Sequence, residues 1–506
     1  MKTPQIHPSA SKAPGAQLHQ NPVRSWHGGA WRVERGEEHG STFIIVLWVA
    51  FGLVSMALYF AHSMSFELRA SDNRVSGLSA EQAIQGAARY VNYLLATQIA
   101  NGSNGFFLDP AGYQNQAVSV GDAHFWLIGR DTNNPSGPGQ ISFGLVDEGS
   151  KLNLNSATSN MLAAMIISLP RANQDLTAAI LDWRDTNATG AYQTYYATRP
   201  QPYQCKSAPF ETVDELRLLY GADMDTLAGE DVNRNGVLDV NESDQNHNNV
   251  LEAGILEYAT VYSREPNTYS NGVARVSLRN VSTTGPLPDL LQTVLGSSRA
   301  QAVLVNLGLV SNQGPGGGAG GGRGGGGAGG GRGGPPPPVT FTSPLQLYRR
   351  SKMTPDEFAT IANAITTVTN AYIDGRINVN TASAAVLASL PGLDSDPELA
   401  QTLVSYRQSN PDRLGSVAWL VDAVGENNAN VLNTLETTDC VTTQSYQVSA
   451  DVAALGPNGR GYRRVRFVFD TSDGTPKIVY RQDLTSLGWA LGKEVRETWL
   501  LAKTTR

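Results

Sequence analysis

Between Phe43 and Ala61 the chain runs for 19 residues without a charged side chain. At about 1.5 Å rise per residue, such a segment crosses most of the hydrocarbon core of a bilayer as a helix. A cleaved secretory signal has a shorter apolar region, of about 7–15 residues, and ends in an A-x-A-like site. No clean site of that kind follows this run, whereas a plain signal anchor fits it. Lys2, Lys12, Arg24, Arg32 and Arg35 precede the run and favour a cytoplasmic N-terminus.

With 506 residues, 41% of them hydrophobic, the chain is too long for one ordinary domain and apolar enough for two or three packed cores. Five of its 38 basic and three of its 45 acidic residues lie before Ser41, which leaves 33 against 42 and a net charge of −9 for the remainder. Nucleic-acid affinity comes largely from Lys and Arg that neutralise phosphates, so this balance argues against a nucleic-acid partner. The seven histidines, five of them in the first 62 residues, offer no zinc or catalytic cluster. Without a nucleophile, metal triad or cofactor motif nearby, Asp182, Trp183, Arg184 and Asp185 read as a capped helix end with ion pairs, and the chain as a non-enzyme.

Past the anchor, helical spacing continues from Glu67 to Asn101, with Ile84, Ala87, Ala88, Val91, Leu94 and Leu95 in register. This predicts one long helix, half in the membrane and half lying on a soluble domain, weakened locally by Gly77 and Gly86. Strand patterns follow: HFWLIGRD, a turn at NNPSGPG and QISFGLVDE read as a hairpin. They then lapse for almost 300 residues and return as SYQVSADVAAL, GYRRVRFVFD and PKIVYRQDL. A sheet divided this way implies a helical domain inserted between its strands. Because a lone hairpin is only marginally stable, the sheet is expected to be antiparallel and packed on the anchor helix.

The inserted region echoes itself. KLNLNSATSNMLAAMIISLP from Lys151 matches RINVNTASAAVLASLPGLD from Arg376, with Asn153 aligned to Asn378 and Asn155 to Asn380. In both, Ser156 or Thr381 is placed to cap an apolar helix, and a second helix follows, LTAAILDWRD or PELAQTLVSYR. Thr354, Pro355 and Glu357 form a capping box that opens a further helix ending near Gly375. Between the two halves, Gly314 to Pro338 is almost entirely Gly and Pro and reads as a disordered loop.

The strongest local motif is DVNRNGVLDVNE, which fits the calcium-loop pattern D-x-[DN]-x-[DN]-G-x5-E. Asp231, Asn233 and Asn235 supply side-chain oxygens, Gly236 allows the turn, Val237 offers its carbonyl, Asp239 takes the ninth place, and Glu242 can bind bidentately, with Leu238 facing the core. DQNHNNVLEAGI repeats the start with Asp244, Asn246, Asn248, Val250 and Glu252, but has Asn249 for the glycine and Ile255 for the last acid. Ca2+ is therefore the expected ion, bound with the weak affinity of extracellular modules, and a polar surface turn is the alternative. The LPGLD turn at Leu390 resembles a helix-hairpin-helix turn, yet Asp394 stands where a phosphate-binding turn usually has glycine.

Gly40 and Ser41 stand directly before the apolar run. This join resembles the processing site of type IV prepilins and type II secretion pseudopilins. Ile45 occupies the fifth place after the cut, where most of that class carry Glu. Its absence is a mark of the K-type minor pseudopilin of type II secretion. The ordered segments DEGSKLNLN, LDWRD, APFETVDELRLLYG and INVNTASAAVLASLPGL also resemble that family, over most of the chain outside the leader and the Gly-rich segment.

The resemblance implies an α+β pseudopilin fold. A long N-terminal membrane helix packs on an antiparallel sheet, and a large, mainly α-helical domain of two SAM-like or helix-hairpin-helix-like units is inserted between strands. The expected divisions are a prepilin leader at 1–40, the transmembrane and amphipathic helix at 41–110 and the first part of the sheet at 111–148. A first inserted unit with the calcium loops follows at 149–313, then the Gly/Pro-rich loop at 314–338, a second unit at 339–440 and the C-terminal strands at 441–506. The implied function is that of a minor pseudopilin at the tip of the pseudopilus, initiating or capping assembly. Its partners would be the I-type and J-type minor pseudopilins, a prepilin peptidase cutting between Gly40 and Ser41, and the inner membrane; the processed chain would be methylated, and the C-terminal domain would lie in the periplasm. The alternative is a membrane-anchored helix-hairpin-helix DNA receptor. In an exported domain, Cys205 and Cys440 are free to form a disulfide.

Overall fold

The computed structural model describes residues 39–103, 105–132, 140–169, 171–186, 190–269, 272–310, 337–394 and 396–504. The leader up to residue 38, the NNPSGPG turn and nearly all of the Gly-rich segment lie outside the described residues. The chain divides into two compact units, residues 1–68 and 69–506.

Helix α1 runs from His39 to Ala100 and contains both Gly40 and Ser41. Among the described residues, it is the one helix long and apolar enough to cross a membrane. In the first unit its large side chains have no protein cover, Phe43 being 70% and Trp48 76% exposed, which suits a hydrocarbon surrounding.

In the second unit, six strands form an antiparallel sheet: β1 (Val118–Val120), β2 (Ala123–Ile128), β3 (Val146–Asp147), β4 (Gln447–Leu455), β5 (Arg463–Asp470) and β6 (Lys477–Asp483). Their order is β1-β2-β4-β5-β6, with β3 paired to β4 beyond the end of β2. The expected hairpin of β2 with the segment after it forms only narrowly, as one antiparallel bridge between Ile128 and Phe143 with Gly129 N–H donating to the Ser142 carbonyl and Gly144 N–H to the Leu127 carbonyl, both at 2.9 Å; it does not extend into β3. Ile128 lies opposite Asp451 and Asp147 opposite Val448, so both segments line one edge of β4 in succession. All nine residues of β4 are buried, and its length satisfies more of the β2 backbone than the two residues of β3 could. The more extensive hairpin partner of β2 is β1, which the alternation did not reveal.

One face of this sheet takes the rest of α1. Ala80, Ala83, Ile84, Ala87, Val91 and Leu95 form a buried stripe against Phe125, Leu127, Val448, Ala450, Val452 and Phe467. Close approach also depends on the β4–β5 turn, where a Cβ on Gly456 would lie 2.2 Å from the Ser76 carbonyl oxygen of α1. The expected insertion is observed: the helical domain fills the chain between β3 and β4.

The sequence echo is a structural repeat. Leu152–Asn153 pairs in parallel with Ala259–Thr260, and Ile377–Asn378 pairs in parallel with Val441–Thr442. Helices Ser159–Ser168 and Asp175–Arg184 follow the first; Ala384–Leu387 and Pro397–Ser409 follow the second. Arg184 donates to the carbonyls of Leu154 and Ala157, and Arg407 to those of Val379 and Ala382. At this helix end, Arg184 of the DWRD cluster thus acts as a clasp on a loop backbone, a role the expected ion pairs did not include. The caps lie two residues later than expected, at Thr158 and Ser383, while Thr381 donates instead to Asp147. The capping box at Thr354 and Glu357 forms as expected. Its helix stops at Ala362, because the β-branched run after it pairs as Ile365–Thr366 with Val276–Ser277. Such short strands punctuate the inserted domain, and one apolar core runs continuously through both halves.

Asp147 and Glu148 weld sheet to insertion. Buried Asp147 accepts bonds from Ser445 Oγ (2.6 Å), Asn378 Nδ2 (2.8 Å) and Gly149 N (2.7 Å) besides Thr381. Glu148 pairs with Lys151 at 2.9 Å and accepts from Thr260 in the first half. The expected disulfide is not formed: both cysteines are free thiols. Each is engaged within its own half, Cys205 Sγ with the Asp182 carbonyl at 3.4 Å and Cys440 Sγ with Thr438 Oγ1 at 3.2 Å.

Candidate metal centre

The two Asp- and Asn-rich loops fold by the same rule. In the first, the Asp231 carboxylate accepts N–H bonds from Asn235 (2.9 Å) and Gly236 (2.8 Å), Asn233 Oδ1 accepts from Asn235 N (3.0 Å), and Asn235 Oδ1 accepts from Val237 N (3.0 Å). In the second, Asp244 accepts from Asn248 (3.3 Å) and Asn249 (2.9 Å), Asn246 Oδ1 from Asn248 N (3.2 Å), and Asn248 Oδ1 from Val250 N (2.7 Å). Asn249, standing for the glycine, takes φ +57°, a left-handed conformation that asparagine tolerates better than most residues. The amides at the third and fifth places then donate to the carboxylate at the ninth, Asp239 in one loop and Glu252 in the other.

The loops differ at their closing acid. Glu242 accepts from Asn233 N (3.1 Å) and Asp239 N (3.0 Å), so it spans the first loop from inside. The second has Ile255 in that place, and Glu230, just ahead of the first loop, takes over: it accepts from Gln245 N (3.1 Å) and Glu252 N (3.2 Å). Glu230 also pairs with Arg171 at 2.7 Å, and Arg171 stands 3.5 Å from Glu252. Glu230 and Arg171 were missed in the sequence because they precede the motif. The only available signal was an acid directly before Asp231.

Burial separates the loops further. Asp231, Asn233, Asn235 and Val237 are buried, while most of the second loop is exposed. Val237 enters the core; Leu238, expected there, is half-buried. Burial pushes the Asp231 carboxyl up, only partly offset by Arg130. Burial, with Asp231 and Asp239 nearby, pushes Glu242 up to about 6 against the N–H bonds it accepts. Among the described residues, no group of three His, Cys, Asp or Glu side chains converges as a ready metal cluster. A cation here therefore has to draw on the oxygens of Asn233 and Asn235 and the Val237 carbonyl as well, which is the donor set that hard cations such as calcium take.

The first loop is pinned to the sheet. Arg464 of β5, with a fully buried side chain, donates to the carbonyls of Asn233 and Arg234, and Arg130 donates to the Arg234 carbonyl at 3.0 Å. Arg464 also grips Asp451 of β4 through two bonds of 2.8 and 2.7 Å. Away from this centre, Asp394 accepts the Gly392 N–H at 3.0 Å, which sets a carboxylate against the backbone donor that a phosphate-binding turn would offer.

Family models of type II secretion system protein K match residues 145–229 and 377–435, one on each half of the repeat. Both metal-type loops fall outside these matches. No curated protein matches the chain. Among solved structures it is similar to the GspK-GspI-GspJ complex from the type 2 secretion system of enterotoxigenic Escherichia coli, at 9% identity over 80% of this chain and 96% of that one, with a TM-score of 0.36.

Proposed function

Because the chain belongs to the protein K family of the type II secretion system, we propose that this minor pseudopilin sits at the tip of the pseudopilus, where it initiates or caps assembly in a structural, non-catalytic role. Ile45 carries the tip assignment. In a pilin-type filament, a glutamate at that place neutralises the N-terminal amine of a neighbour inside the apolar bundle, where an unpaired charge is costly. A subunit with no neighbour ahead of it meets no such amine. The domain inserted between β3 and β4 adds bulk that would stop further subunits from stacking above.

In this reading a prepilin peptidase cuts after Gly40, the N-terminus is cytoplasmic before processing, residues beyond the membrane helix lie in the periplasm, and the I-type and J-type minor pseudopilins are the partners. The intact mass of the membrane-extracted protein is expected to correspond to a chain starting at Ser41. A chain that retains residues 1–40 would remove pilin-type processing.

Calcium is the ion proposed for the first loop, held by Asp231, Asn233, Asn235, the Val237 carbonyl, Asp239 and Glu242, where it supplies the positive charge that three crowded carboxylates lack. The second loop, Asp244, Asn246, Asn248, Val250 and Glu252 closed by Glu230, binds more weakly, since Arg171 already faces two of its carboxylates.

A further inference from the structure

A buried calcium-type loop with asparagine at both its third and fifth places has two amide NH2 groups that aspartates would not provide. The structure gives those groups a use. Asn233 Nδ2 donates to Asp239 Oδ2 at 2.7 Å and reaches the Trp489 carbonyl at 3.4 Å; Asn235 Nδ2 donates to the same carboxylate oxygen at 2.9 Å and reaches the Ala490 carbonyl at 3.4 Å. Trp489 and Ala490 lie more than 250 residues away in sequence, directly before the C-terminal helix Gly492–Thr504.

This C-terminal segment covers the sheet face opposite α1. Ala490 and Leu491 pack with Trp126, Ile128, Ala453 and Leu455, and the Trp489 ring lies 5.2 Å from that of Tyr462. Trp489 Nε1 donates to the Gly492 carbonyl at 2.7 Å, which fixes the first turn of the helix to the same segment. From the sheet side, Arg464 and Arg130 hold the carbonyls of Asn233 and Arg234, so the loop lies between two fixed supports.

We propose that Asn233 and Asn235 form a calcium-dependent latch: an ion in the first loop fixes the two amides so that they hold Trp489–Ala490, and with them the start of the C-terminal helix, against the sheet. This rests on the calcium reading of the first loop. An asparagine has one oxygen to give. Once an ion holds Oδ1, the amide plane is set and Nδ2 stays between Asp239 Oδ2 and the C-terminal carbonyls. A cation on the oxygen also polarises the amide and strengthens the bonds its N–H groups donate. Without an ion, the carboxylates of Asp231, Asp239 and Glu242 repel one another, which loosens the loop that carries both amides and with it the contact.

The test is amide hydrogen exchange on the full-length chain in detergent, with millimolar calcium or with chelator, alongside calorimetric titration of calcium. In the unmodified protein, calcium is expected to slow exchange across residues 489–498 at least tenfold. N233D/N235D keeps an oxygen at both places and so keeps calcium binding, but its carboxylates donate nothing and face two carbonyl oxygens. Calcium should then leave exchange at 489–498 within about twofold of the chelated rate. Calcium binding with equal slowing in both proteins would overturn the latch while leaving the calcium reading intact. Binding by the unmodified protein without slowing at 489–498 would overturn it without recourse to the variant. No heat of binding in the unmodified protein would remove the calcium reading and the latch together.

Discussion

Arg464→Met is expected to destabilise the second unit by about 3–5 kcal/mol, the usual loss when one partner of a buried ion pair is removed and the other is left behind. Burial opposes ionisation of Asp451, but the guanidiniums of Arg464 and Arg466 outweigh it and hold that carboxyl well below the usual carboxylate range. The substitution leaves Asp451 with Arg466 alone, at 3.0 Å, and strips the Asn233 carbonyl of its guanidinium donor. Asp451→Leu added to Arg464→Met should recover part of the loss, since an apolar pair carries no stranded charge. The sign with pH follows from the depressed native value. The contribution is present above about pH 4, the unfolded range, and is lost only as pH falls through the folded Asp451 value. The deficit of the single variant should therefore narrow in acid, where the stranded carboxyl can take up a proton. Denaturation midpoints of the full-length chain in detergent check this, and a loss under 1 kcal/mol at neutral pH would refute it.

Calcium removal should have the next largest effect. An ion that binds only the folded loop stabilises it by mass action, by about 2.7 kcal/mol at a hundredfold excess over its dissociation constant. Weak extracellular-type sites have constants of roughly 0.1–1 mM, so calcium at about 10 mM gives roughly 1.4–2.7 kcal/mol. Glu242→Gln removes one charge and one bidentate ligand and should shrink the difference between melts with calcium and with chelator. Glu230→Gln, which touches the more exposed loop, should shrink it less. Coincident melts of the unmodified protein under the two conditions would eliminate calcium from the account.

The sequence made some of this legible because local patterns and tertiary packing agree. The apolar run of α1, its Ala-rich stripe, the divided sheet, the repeat of Asn153 and Asn155 in Asn378 and Asn380, and the first-loop oxygens all follow from periodicity or fixed spacing. What it concealed depends on contacts between distant residues. The short strands of the insertion are too brief to show alternation. The partnership of β4 with both β2 and β3 is set by burial of β4 on both faces. Glu230 substitutes for a missing acid from outside the motif, and Arg464 reaches the loop from a strand about 230 residues away. The cysteine expectation failed because compartment alone says nothing about distance, and each thiol has a partner in its own half.

The tip assignment is tested most directly by locating this chain on assembled pseudopili. Gold-labelled antibody against residues 149–440, applied to filaments from cells that produce the protein at its natural level, should mark one end of each filament and leave the shaft bare. Label distributed along the shaft would contradict the account, because a subunit that enters the filament body would have to accommodate both the bulk of the inserted domain and an unneutralised neighbouring amine at Ile45.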